Sequence, residues 1–137
     1  MYFSGGESTS IQIHANKEGI IGPSDLQLRC SYTPDSGETT GSNIQAKIND
    51  VFKTIASFGK DSIGDDPKFE SDGNYLSPRA NLSNPTLSLP NTVILTFNQI
   101  ECEDEREYRC TVTVRVSGNY KTTTSNATSI VVKGKYT

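Results

Sequence analysis

The 137-residue chain contains no tryptophan, one methionine and one histidine, and aromatic residues make up only 8% of it. It has no basic excess, since 13 lysines and arginines stand against 16 aspartates and glutamates and the net charge is −3. A nucleic-acid partner is not expected, because such proteins carry a basic patch. No apolar run approaches the roughly 18 residues of a membrane span, so this segment is not expected to insert into a membrane.

Signatures of catalysis and metal binding are also missing. The sequence has no Gly-x-Ser-x-Gly stretch and no glycine-rich phosphate loop. Its single histidine, His14, is expected on the surface of the first strand and limits general acid–base schemes. The three cysteines do not form a zinc pattern, and Asp61, Asp65 and Asp66 do not have the spacing of a calcium loop. We therefore expect no enzyme, no metal site and no cofactor.

What the chain does contain is alternation of apolar and polar residues. Leu26, Leu28 and Cys30 share one face of a predicted strand. A second strand places five residues on one face: Tyr108, Cys110, Val112, Val114 and Val116. Roughly eight or nine short strands, separated by turn residues and without a long stretch of helical period, predict an all-β sandwich of two sheets.

The remaining segments complete this organisation. Further strands are predicted in 10–14, 44–49, 51–58, 87–89, 92–100 and 122–133, with polar loops at 33–42 and 59–73 and a tight hairpin turn at 117–119. The length fits one domain, which we place at 10–133. Residues 1–9 are expected to be an N-terminal tail or expression remnant, and 134–137 a C-terminal tail or linker.

One short motif points to a family. The chain reads Asp104-x-Arg106-x-Tyr108-x-Cys110. This resembles the Asp-x-Gly/Ala-x-Tyr-x-Cys pattern at the start of strand F in immunoglobulin domains, with an arginine in place of the usual small residue. A tyrosine two residues before the cysteine shares its face, and its hydroxyl can reach nearby backbone. The resemblance implies an immunoglobulin-like two-sheet Greek-key sandwich.

The same resemblance implies several structural roles. Cys30 and Cys110 would form the disulfide between the sheets, and the long span between them leaves room for the extra strands of a V-type domain. Arg79 precedes strands D and E, where V-type domains commonly have an arginine that pairs with the aspartate matched by Asp104. The family's strand C tryptophan is absent, and Ala46 holds its place. Four residues are expected to fill that volume: Ile48, Phe52, Phe58 and Phe97.

The expected compartment follows from the cysteine pattern and the sequons. Cys102 is either an unpaired thiol or bonds to a neighbouring domain or a second copy. Asn81 and Asn126 begin N-glycosylation sequons, which favour a secretory route. Residues 1–6 lack the basic and apolar regions of a signal peptide, so the chain is either cytosolic or a secreted segment whose leader has been removed. We expect the second, and hence an extracellular domain.

By resemblance, the function is recognition. The domain would belong to a cell-surface or secreted immune-type receptor and bind a protein ligand or a like immunoglobulin domain, as in a homodimer. Structural cell adhesion and lectin-like carbohydrate binding by a defence protein are the alternatives. The missing tryptophan and the extra cysteine indicate a divergent, invertebrate type, similar to domains of molluscan fibrinogen-related proteins or cnidarian allorecognition receptors.

The resemblance also implies a contact surface, because V-type domains commonly pair or bind ligands through the sheet that contains strands C and F. Lys47 and Arg115 would give this face a charge suited to an acidic partner patch. The alternatives are a merely solvated face and a site at the loop end, formed by 33–43 and 117–121. The outward residues predicted to form the contact are Gln45, Lys47, Asn49, Thr113 and Arg115, with Thr111 also directed outward.

Overall fold

The computed structural model describes residues 9–59, 66–83, 86 and 90–134. In that part of the chain, 12 β-strands and two short 3₁₀ turns form a sandwich, which confirms the all-β prediction. The strands exceed the predicted number because four of them are only two residues long. None of the described segments is a helix long and apolar enough to cross a bilayer. The predicted strand at 87–89, and Asp61 and Asp65 of the acidic loop, lie outside the described residues.

The first sheet has four antiparallel strands in the order β1–β3–β8–β7. Alternation in β3 places Leu26, Leu28 and Cys30 fully inside, as the sequence pattern predicts. His14, on β1, is exposed. The bounds of the four strands are Ser10–Ala15 for β1, Gly22–Thr33 for β3, Ala80–Ser83 for β7 and Asn91–Ile100 for β8.

The second sheet has the order β10–β9–β4–β5–β6, and β11 also pairs with β9. A separate parallel pair joins β2 (Gly19–Ile20) to β12 (Val132–Lys133) near the two ends of the described chain. The bounds in the second sheet are Glu38–Ile48 for β4, Val51–Phe58 for β5, Lys68–Phe69 for β6, Glu107–Val116 for β9, Asn119–Thr124 for β10 and Thr128–Ser129 for β11.

Two hairpins of this sheet are closed by two-residue turns. Ser117 and Gly118 join β9 to β10, and Asn49 and Asp50 join β4 to β5, all with positive φ. Positive φ at both central positions gives the type I′ turn, whose twist matches that of the strands. The first turn agrees with the prediction. The second corrects it, because Asn49 lies in the turn and not on the strand, and asparagine and aspartate tolerate this backbone better than most residues.

Strand β4 begins earlier than the sequence indicates. Residues 33–43 were expected to be a loop, but the register of β4 with β9 starts at Glu38, opposite Arg115. Only 34–37 therefore connect β3 to β4. The last of these, Gly37, has φ 88°, and a Cβ there would lie 2.5 Å from the Val116 side chain, so glycine is required at this turn.

The core lies between the two sheets. Phe58 and Phe97 are buried and Ile48 packs against the core, as expected. Phe52 differs, because the register between β4 and β5 slips where Ile44 pairs with Ala56 and Gln45 with Thr54. The extra residue reverses the direction of the side chains on one side of the slip, so Phe52 lies on the outer side of the sheet. Val116, predicted to face inward, is 38% exposed at the end of β9.

The two sheets are joined by a disulfide between Cys30 of β3 and Cys110 of β9, with the Cα atoms 6.2 Å apart. This is the pair that the resemblance implies. Cys102 is exposed and carries a free thiol. It begins the 3₁₀ turn Cys102–Asp104, which connects the sheets at one end of the sandwich.

A buried ion pair holds this corner. Arg79 donates to both carboxylate oxygens of Asp104, at 2.7 and 3.0 Å, and Asp104 is fully buried. One of these oxygens also accepts the backbone N–H of Glu101 and so caps the 3₁₀ turn. The Tyr108 hydroxyl donates to the Asp104 carbonyl oxygen at 2.8 Å. Burial raises the pKa of Tyr108 well above its usual value, so this hydroxyl remains a donor at neutral pH.

Candidate binding face

Alternation along β4, β5, β9 and β10 directs half of their side chains away from the core, and we call this side of the second sheet the outer face. Cross-strand pairing sets which residues lie side by side: Gln45 is opposite Arg109 and Thr54, while Tyr120 is opposite Arg115. The outer face includes Glu38, Gln45, Lys47, Phe52, Thr54, Glu107, Arg109, Thr113, Arg115, Tyr120 and Thr122.

One group of contacts on the outer face is centred on Arg109. Its Nε donates to Gln45 Oε1 at 2.6 Å, and its guanidinium carbon lies 4.1 Å from the centroid of the Phe52 ring. The Gln45 amide nitrogen lies 3.5 Å from Thr54 Oγ1. Three adjacent strands thus position one arginine. Arg109 was not among the contact residues predicted from the sequence, although its place beside the inward Cys110 is a signal that it faces outward.

The charges of Lys47 and Arg115 are neutralised within the chain. Lys47 Nζ lies 3.4 Å from Glu107 Oε2, and Arg115 Nη2 lies 2.6 Å from Glu38 Oε1. The hydrogen bond and charge of Glu38 raise the pKa of Arg115. Because these pairs are about half exposed, water and salt screen them and each adds little to stability. Both of the cations that were expected to suit an acidic partner patch are therefore already paired with a carboxylate of the chain.

The structure brings four of the five predicted contact residues together. Gln45, Lys47, Thr113 and Arg115 lie on the outer face, and the Thr113 hydroxyl is 2.9 Å from that of Thr122. Asn49 lies in the β4–β5 turn, beside a shallow groove of about 440 Å³ at the end of the sheet. Thr111, also expected to point outward, lies on this side of the sheet by alternation but is only 6% exposed between the flanking strands β4 and β10.

The two sequons lie on exposed backbone. Asn81 is exposed on β7, while its neighbours Ala80 and Leu82 pack against the core. Its side chain therefore points away from the core and into solvent. It lies on the first sheet, on the side of the sandwich opposite the outer face. Asn126 is exposed between β10 and β11. Among the described residues, no three His, Cys, Asp or Glu side chains are grouped so that they could hold a metal ion.

No family model matches the sequence, and no curated protein is similar to it at the sequence level. Among solved structures, the chain is similar to murine CRIg, with 17% sequence identity and a TM-score of 0.70, over 92% of this chain and 98% of that chain. The fold is that of an immunoglobulin V-type domain. At this identity the likeness shows the fold alone.

In V-type terms, β3 is strand B, β4 is strand C, β9 is strand F and β10 is strand G, so the outer face belongs to the sheet that contains C and F. Ala46, expected at the tryptophan position of strand C, is fully buried and pairs with Tyr108, whereas the strand C residue opposite Cys110 of the disulfide is Ile44. Tyr108 bonds back to the Asp104 carbonyl as the tyrosine corner of the fold.

Proposed function

We propose that this V-type domain is an extracellular recognition module that binds a protein, without covalent chemistry, through the outer face of its second sheet. The observation that carries the proposal is the ordered cluster of Arg109, Gln45 and Phe52 on that face. Arginine and aromatic residues are enriched where protein interfaces are most strongly bound. A cluster already held by a sheet also loses little side-chain freedom on binding.

The extracellular location rests on separate features. A disulfide that joins the two sheets, Cys30–Cys110, forms and persists in oxidising compartments. Asn81 and Asn126 are both exposed, as glycan attachment requires. We propose an immune-type role in self or non-self recognition. A V-type domain whose outer face is open to a partner is suited to this role.

A multivalent form of the domain tests the class of ligand. It is applied to arrays of cell-surface ectodomains, one of which is the domain itself, and to a glycan array. We expect binding to a different protein that survives enzymatic removal of that protein's glycans, and no binding to free glycans. The Cys102→Ser variant serves as the matched control, because it removes binding that arises only from disulfide exchange at the exposed thiol.

The competing functions give different results in the same assay. Binding only to immobilised copies of the domain indicates homophilic adhesion. Binding that disappears on deglycosylation, together with a signal on the glycan array, indicates a lectin. No signal on any ectodomain contradicts the proposed recognition of a protein.

A further inference from the structure

We propose that Arg109 determines the specificity of the outer face, and that it binds an acidic side chain, aspartate or glutamate, of a different protein. The inference rests on the proposed function and names the chemistry of the partner. Arg109 was not among the contact residues indicated by the sequence. Its role follows from the contacts that it makes with the two neighbouring strands, β4 and β5.

The guanidinium group of Arg109 is held by two contacts, but its terminal N–H groups have no partner among the described residues. Its Nε donates to Gln45, and its guanidinium carbon lies over the Phe52 ring, 4.1 Å from the centroid. Within the described residues, neither terminal nitrogen of Arg109 donates a hydrogen bond and no carboxylate forms an ion pair with it. Two parallel N–H groups of arginine match the two oxygens of a carboxylate. The free edge of Arg109 is therefore a site for a carboxylate.

The charges around Arg109 support this assignment. The other two cations of the outer face, Lys47 and Arg115, already have carboxylate partners in Glu107 and Glu38. Arg109 instead has a neutral amide and an aromatic ring as partners. An incoming carboxylate at Arg109 completes the charge pairing of the face, whereas an incoming cation would meet an uncompensated positive charge.

The same pairing argues against a second copy as the partner. In a symmetric face-to-face dimer each copy offers the same surface to the other. The carboxylates on or beside this face, Glu38, Glu107 and Glu70, are paired within the chain, the first two with cations and the third with the Ser57 hydroxyl. Engaging Arg109 of another copy would break one of these pairs, so the acidic side chain comes from a different protein.

Phe52 and Gln45 act as positioning residues for Arg109. The cation–π contact and the hydrogen bond that Nε donates to Gln45 select one orientation of the guanidinium before a partner arrives. Binding then requires less ordering of a long side chain. Lysine at 109 keeps the charge but loses both the planar fork and the bond from Nε to Gln45.

A peptide titration tests the carboxylate site directly. The ¹⁵N-labelled domain is titrated at constant pH and ionic strength with a capped peptide of alternating glutamate and glycine. The control peptide has glutamine in place of glutamate. We expect the Nε–Hε signal of Arg109 to shift saturably with the glutamate peptide only, while that of Arg115 stays in place. No saturable shift, or an equal shift at Arg115, would overturn the assignment.

Variants then separate specificity from structure. Arg109→Lys should weaken peptide binding about tenfold or more. The affinity is measured from the shifts of backbone amide signals of β4 and β9. The thermal stability of the variant should be unchanged. Arg115→Lys, a matched change on the same strand and face, should leave affinity within about twofold. Phe52→Leu, which retains the charge of Arg109, should weaken binding less than Arg109→Lys does. Equal losses in the Arg109 and Arg115 variants would contradict a specific role for Arg109.

Two further measurements decide the source of the carboxylate. Sedimentation of the domain at high concentration should show a monomer, and a dimer that Arg109→Lys abolishes would overturn the assignment to a different protein. A shift of Arg109 with N-acetylneuraminate but not with the glutamate peptide would replace the protein partner by an acidic sugar. If an ectodomain binds the array probe and Arg109→Lys binds it equally, this inference fails while the proposed function stands.

Discussion

Asp104→Asn should destabilise the domain by about 3 kcal/mol, at the lower end of the roughly 3–5 kcal/mol that breaking a buried ion pair costs. Asp104 is fully buried and receives two hydrogen bonds from Arg79. Asparagine keeps the shape but leaves the arginine charge without its buried counterion. The value lies at the lower end because Glu101 and Glu103 each lie 3.6 Å from Arg79 and compensate part of the charge. Urea unfolding of the two proteins measures the difference.

Glu103→Gln is the matched control for this substitution. It also removes one carboxylate charge near Arg79, but the Glu103 side chain is 46% exposed, so the loss should stay below about 1 kcal/mol. The double variant Arg79→Met with Asp104→Leu should recover part of the loss caused by Asp104→Asn, since it leaves no unpaired buried charge. Equal unfolding midpoints for the two single variants would show that the pair is not buried as described.

Removing the disulfide should have the largest effect of any change considered. Cys30 and Cys110 are separated by 80 positions in the sequence, and closing a loop of that size in the unfolded chain corresponds to about 4 to 5 kcal/mol in the chain-entropy model. A typical domain has only about 5–15 kcal/mol of stability in total. The double variant Cys30→Ala with Cys110→Ala should therefore be largely unfolded at 37 °C, as measured by circular dichroism.

Cys102→Ala provides the control for the disulfide. This thiol is exposed and lies outside the bridge, so the variant should unfold at the same urea concentration as the parent protein. A non-reduced digest should link the peptides that contain Cys30 and Cys110 and leave Cys102 free for alkylation. A linked pair that includes Cys102, or a bridge-free variant as stable as the parent, would contradict the structure at its core.

The sandwich could be predicted because its strands alternate regularly. Leu26, Leu28 and Cys30 on β3, and Tyr108 and Cys110 on β9, follow a period of two without interruption, and all are fully buried. Regular alternation specifies which face is buried without knowledge of the neighbouring strand. The fold class therefore followed from local pattern and from the motif around the second cysteine.

The binding face could not be predicted in full because it depends on register. A one-residue slip in the pairing of β5 with β4 turns Phe52 outward. The sequence of residues 51–58 alone does not predict the position of this slip. If Phe52 is placed inside, as the sequence indicates, Arg109 has no aromatic ring to contact. The sequence therefore offers no reason to select Arg109 as a contact residue. The pairs of Lys47 with Glu107 and of Arg115 with Glu38 likewise join residues about 60 and 77 positions apart, which only the sheet topology brings together.

A glycan placed on the outer face tests the central claim most directly. Residues 122–124 are all threonine, so Thr122→Asn makes residue 122 the acceptor of an Asn-x-Thr sequon. Thr122 is exposed and its hydroxyl lies 2.9 Å from that of Thr113 on the outer face. Thr122→Ser is the matched control without an acceptor. Asn81→Gln removes the sequon on the opposite side of the sandwich.

The measurement is binding of these variants, secreted from eukaryotic cells, to the ectodomain that the array identifies. If the outer face is the contact surface, the glycosylated Thr122→Asn protein should lose binding while both controls bind as the parent does. Enzymatic removal of the added glycan should restore binding. Undiminished binding by a fully glycosylated Thr122→Asn protein would contradict the account, because a glycan at that position cannot share the outer face with a protein partner.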